Sequence, residues 1–185
     1  RHFSAALAID PECIMAYAGV TLALIQPFNE YADYRRAAVL RMLDMSDADK
    51  AGIKQGRKAC FSESERGFVD AIAALVSQNP ESAGDMLLKV AKDDPLFIQA
   101  KMIAVFLNRG GYNVANEPSQ KRLDALKETQ RLMEEYPDNW MVLGFWLMLN
   151  AEAPFSVLNI KEEILPHARY LTKKCPDIPT WQHAL

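Results

Sequence analysis

Cysteine is scarce in this chain of 185 residues: there are three, Cys13, Cys60 and Cys175, with no CxxC or Cys/His ligand spacing. An odd, scattered set of thiols excludes a disulfide framework and a cysteine-based zinc site. The three are therefore read as buried small hydrophobes. Histidine is equally rare, and His2, His167 and His183 form no i, i+4 ligand pair. His167 and His183 fall on consecutive expected helices and are the one pair that could meet. Charge of one sign is also lacking, with 21 basic against 24 acidic residues, a net charge of −3 and no run of five like charges. That leaves no electrostatic footprint for nucleic acid or an anionic membrane. The longest apolar run, Trp140 to Leu149, has 10 residues, about half of the ~20 needed to span a bilayer, so no membrane span is expected.

Catalytic and cofactor fingerprints are missing too. The chain has no GxSxG elbow, Walker loop or dinucleotide motif, so neither an enzyme nor a cofactor is expected. Adjacent carboxylates such as Asp93-Asp94, Glu134-Glu135 and Glu162-Glu163 would point about 100° apart on a helix and read as solvated helix ends.

Helical periodicity fills the chain instead. Half of the residues are apolar, enough for a sizeable core, and strand-like alternation is essentially absent. Helices are expected near 2–9, 12–25, 31–44, 47–59, 63–77, 81–92, 96–108, 119–135, 139–150, 161–174 and 178–185, an all-α chain of about ten or eleven helices. Local chemistry supports several boundaries. Ser62 with Glu65 forms a capping-box pattern, Pro80-Glu81 suits a first helical turn, and Asn108-Arg109-Gly110-Gly111 is a stop signal answered by Pro118-Ser119. The stretch Gly110 to Ser119, with Tyr112, Asn113 and Asn116, is longer than a tight turn and reads as a lengthened connection or a binding rim. Trp140 to Leu149 is apolar all round and is expected to be covered on every side.

Four prolines punctuate this pattern in one context: Ile9-Asp10-Pro11, Asp93-Asp94-Pro95, Glu135-Tyr136-Pro137 and Lys174-Cys175-Pro176, at intervals of 84, 42 and 39 residues. The first interval is twice the second, which marks a repeat whose units must stack to bury their apolar faces. Twelve, eight and five residues before the last three prolines stand Ala83, Leu87 and Val90, then Ala125, Thr129 and Leu132, then Ile164, Ala168 and Leu171. Phe3 and Ala6 hold the last two positions before Pro11, and Ala16-Tyr17-Ala18-Gly19 continues the pattern. In these residues the chain resembles the tetratricopeptide repeat family, whose two-helix unit ends in proline. The segments Cys13 to Tyr17 and Ser62 to Ala71 resemble its long-repeat branch, typified by tetratricopeptide repeat protein thirty-eight.

The resemblance implies an αα superhelix of helical hairpins running through residues 1–185 as a single solenoid. It also implies a non-catalytic scaffold that binds a protein or peptide along a concave face. Counted from each proline, that face carries Met15, Ala18, Leu22 and Ile25, then Gln99, Met102, Phe106 and Arg109, then Met141, Gly144, Met148 and Ala151. This Met-rich set suits an adaptable groove with Arg109 as its fixed charge. Residues 2–9 and 178–185 are each half of a hairpin, so the chain is expected to be a segment of a longer one or to self-associate through open ends. The alternative reading is a regulatory or sensory helical module within a larger signalling or enzyme chain.

Overall fold

The structure is a computed structural model that describes residues 2–24, 32–151, 162 and 164–176. Nine α-helices and no strand occur among the described residues. They are α1 (His2–Ile9), α2 (Ile14–Ala23), α3 (Ala32–Lys54), α4 (Glu63–Val76), α5 (Pro80–Asp93), α6 (Ile98–Leu107), α7 (Gln120–Glu135), α8 (Trp140–Ala151) and α9 (Leu165–Lys174). The all-α expectation holds. The expected pair of helices at 31–44 and 47–59 is a single helix, α3. Met45 and Ser46, at the expected break, are both buried. With neither proline nor glycine near them the backbone ladder runs on. It stops where Gly56 enters the left-handed region at φ 80°. There Gly56 N–H donates to Ile53 C=O and Arg57 N–H to Gly52 C=O, both at 2.9 Å, the paired bonds that close a helix C-terminus. The expected helix at 178–185 lies outside the described residues.

The chain divides into two compact units, Arg1–Lys101 and Met102–Leu185, with the boundary inside α6. In the first unit α4 lies along α5, α2 lies along α3 and on α4, and α1 lies on α2. Ile14, Met42, Val69, Ile72 and Leu87 form its fully buried centre. The Phe68 and Phe97 rings stack at 4.9 Å between centroids. Ser62 caps α4 in the reciprocal capping box expected from Glu65. In the second unit α8 packs against α7 and α9; Val142, Leu147 and Leu149 of α8, Leu132 of α7 and Leu171 of α9 are all fully buried, and Leu147 and Leu171 share one core cluster.

The proline punctuation has one local geometry wherever it occurs. The residue before each proline donates its N–H to the carbonyl four residues earlier: Asp10 to Ala6 at 2.8 Å, Asp94 to Val90 at 2.9 Å, and Tyr136 to Leu132 and Cys175 to Leu171 at 2.8 Å. A residue that precedes proline is driven out of the helical region, so each helix ends one residue short of it. The next helix is then primed by Cys13 N–H to Asp10, Phe97 to Asp94 and Asn139 to Tyr136, at 3.2, 3.0 and 3.0 Å. The nine positions counted back from the last three prolines are all buried, the most exposed being Ile164 at 7%. In α1 the equivalent Phe3 is 44% exposed, although its ring presses on Gly19, where an added Cβ would lie 2.3 Å away.

Candidate functional site

The residues expected on a concave face divide between the units. In the first, Met15 and Leu22 are half-buried on α2, Ala18 is buried, and Gln99 is exposed at the start of α6. Ile25 lies outside the described residues. In the second, Met102 is fully buried, with Ala100 and Ala104 of the same helix equally so. Met102 is therefore a core residue. Phe106 and Arg109 are half-buried and brought together. The Arg109 guanidinium lies 3.8 Å from the centre of the Phe106 ring and donates to the Phe106 carbonyl at 2.7 Å. Phe106 in turn meets Phe145 edge to face at 5.9 Å. Met141 and Met148 are half-buried on α8, and Met148 packs against the buried cluster that holds Leu143, Leu147 and Leu171. Trp140 is 48% exposed and Met141, Phe145 and Met148 are half-buried, while the other residues of the apolar α8 stripe are buried.

A cleft of about 490 Å³ opens in the first unit, within the usual size range of ligand sites. The α1–α2 turn contributes Asp10 and Glu12, one stripe of α3 contributes Arg41 to Gly52, and the loop into α4 contributes Arg57, Lys58 and Cys60. Asp49 fastens that loop. Its side chain is 3% exposed. One carboxylate oxygen accepts the Cys60 N–H at 2.7 Å and the other the Arg66 guanidinium at 2.6 Å. Arg66 also donates to the Phe61 carbonyl. The Cys60 N–H, and then the Arg66 guanidinium, hold the Asp49 carboxyl below its ordinary range against the opposing effect of burial. This corrects the expectation for cysteine. Cys60 is exposed at the cleft, while Cys13 and Cys175 are half-buried. Its main chain is fastened by Asp49, so the thiol needs no core position.

Among the described residues Arg41, Arg57 and Lys58 form no ion pair. Arg57 donates to the Gln55 side-chain oxygen at 3.3 Å. None of these groups stood out in the sequence. The local signal that exists is the capping box, which places Arg66 on the first turns of α4, and it says nothing of Asp49.

In the second unit the Gly110 to Ser119 stretch is a fastened hairpin with an isolated bridge between Tyr112 and Pro118. The Asn113 side-chain oxygen accepts the Ala115 and Glu117 N–H groups, both at 2.9 Å, and its amide donates to the Glu117 carboxylate at 2.8 Å. Arg122, 3% exposed, donates to the Gly110 and Leu149 carbonyls at 3.1 and 3.3 Å, with its guanidinium carbon 5.2 Å from the Tyr112 ring centre. Val114 at the tip is fully exposed. His167 packs on Trp146 with the rings tilted by 57° and 4.9 Å between centroids, and His183 lies outside the described residues. Among the described residues no cluster of His, Cys, Asp and Glu could hold a metal, and no helix is long and apolar enough to cross a membrane.

Searches against protein-family models, curated proteins and solved structures found no match to this chain.

Proposed function

We propose that the chain is a scaffold of tetratricopeptide-like helical hairpins that binds a protein or peptide and performs no chemistry of its own. The observation that carries this reading is the recurrence of one hydrogen-bonded proline turn at four places, joined to burial of the same three counted positions before three of the prolines. A sequence that repeats a turn and a packing register is building stacked units, and stacked helical units present long faces suited to recognition of extended or helical segments. The half-buried Phe106, Arg109 and Met141 give such a face aromatic, cationic and adaptable groups, the types enriched at binding surfaces.

The test is affinity capture with the whole protein, followed by identification of the bound species and repetition with Met141→Glu. A discrete partner, retained by the wild type and lost on this substitution while melting is preserved, supports the reading. If no species is retained at reproducible stoichiometry, or the variant retains it undiminished, this face is not the binding surface.

A further inference from the structure

Along the outer side of α3, Tyr34, Ala37, Arg41, Asp44, Ala48 and Ala51 follow one another at spacings of 3, 4, 3, 4 and 3 residues, and every one of them is exposed. Alternation of three and four keeps side chains on one seam of a helix, the spacing by which helices pair. The seam is uncovered. Tyr34 is 70% exposed, Leu40 on its border is 53% exposed, and Arg41, Asp44 and Ala48 line the open cleft. Among the described residues Arg41 and Asp44 form no ion pair, although they stand three apart on the helix.

This seam is complementary to itself when reversed. A twofold axis crossing α3 midway between residues 42 and 43 sets Arg41 opposite the second copy's Asp44, Ala37 opposite its Ala48, and Tyr34 opposite its Ala51. Charge then meets opposite charge, an aromatic ring meets a methyl group, and the layer between them is methyl on methyl. Every contact occurs twice, as an isologous interface requires. A parallel pair in register would instead set Arg41 on Arg41 and Asp44 on Asp44, like charges that repel. We propose that the protein self-associates through this seam, two copies laying their α3 helices antiparallel with reciprocal Arg41–Asp44 pairs at the centre. The alanines let the axes approach to the near end of the usual range of roughly 8–10 Å, and the charged central layer fixes the register. From Tyr34 to Ala51 the seam runs about 26 Å, and one helix from each copy buries less than an interface of standard size. The dimer is therefore weak, and its formation depends on concentration and on salt. The inference goes beyond the peptide-binding reading above and does not rest on it.

The test is sedimentation equilibrium of the whole protein over a wide range of concentration, with two single variants and their mixture. The wild type is expected to pass from monomer to dimer as concentration rises, and less readily at high salt. Arg41→Asp and Asp44→Arg each set like charges at both central contacts and are expected to weaken self-association by about tenfold or more. Mixed in equal amounts, the two variants regain both opposite-charge contacts and are expected to form a mixed dimer about as tightly as the wild type does. Both substitutions lie at exposed positions. Should either variant melt early, Arg41→Gln and Asp44→Asn put the same question, because their mixture regains one ion pair that neither variant forms alone. A wild type that stays monomeric at every concentration, single variants that associate as the wild type does, or a mixture no tighter than its separate components would each overturn the assignment.

Discussion

Asp49 in the first unit and Arg122 in the second are both charged, nearly buried, and fasten a loop to a helix, yet they do so with opposite chemistry. Asp49 gathers donors, the Cys60 N–H and the Arg66 guanidinium. Arg122 is itself a donor to the Gly110 and Leu149 carbonyls. A carboxylate can be neutralised by acid, whereas a guanidinium keeps its charge at any pH a protein survives. One loop is therefore held by a bond that protons can undo and the other by a bond they cannot.

The largest effect expected from breaking this symmetry is at Arg122. Arg122→Leu removes the donor to two carbonyls, and with about 1–3 kcal/mol for each buried group left unsatisfied it should cost about 2–6 kcal/mol in denaturant unfolding. A loss under about 1 kcal/mol would show that water replaces the guanidinium.

Next come two positions twelve residues before a proline, one in each unit. Ala83 and Ala125 are buried at equivalent places in α5 and α7. Leucine at either should overpack the helix contact and cost roughly 1–3 kcal/mol. A wild-type melting temperature for Ala125→Leu would break the equivalence between the units.

The two loops also differ at their left-handed glycines. Gly110 has φ 62° and little space, since a Cβ there would lie 2.4 Å from Ser119 Oγ and 2.9 Å from Lys121 Cβ. Gly56 has φ 80° with open space around it. Gly56→Ala meets only the backbone penalty of about 1–2 kcal/mol, and Gly110→Ala should cost more in the same unfolding experiment. Equal costs would mean that Ser119 and Lys121 simply step aside.

Near neutral pH the smallest difference is the one that acid reveals. The Asp49 pKa is lowered on folding. Its contribution is therefore complete above the ordinary carboxylate value of about 3.9 and is lost as pH falls through the lower folded value. Amide exchange in residues 57–61 should accelerate below about pH 4, while exchange at Gly110 to Ser119 has no such step from Arg122. Asp49→Asn should abolish the step and loosen the 57–61 loop at every pH.

Helix positions were legible where the chemistry is local. The capping box at Ser62, the first-turn Pro80 and the four proline turns act within a few residues, and the structure bears them out. The break expected near residue 45 did not occur: no proline or glycine stands there, and buried Met45 and Ser46 continue the helix. Met102 was misplaced for a related reason. Counting from a proline gives an angle around the helix, but only packing says which angles are covered. The cleft was invisible because Asp10, Asp49 and Lys58 come from three separate elements, and no spacing rule joins them.

By itself the sequence determined the all-helical class, the ends of most helices and the four proline turns, because caps, proline sterics and apolar spacing are decided by near neighbours along the chain. Only the tertiary structure decided which counted positions are open, that Cys60 faces solvent, and that Asp49 and Arg122 each fasten a loop. Those outcomes depend on burial and on donors and acceptors eleven to twenty-seven residues apart, which packing alone brings within bonding distance.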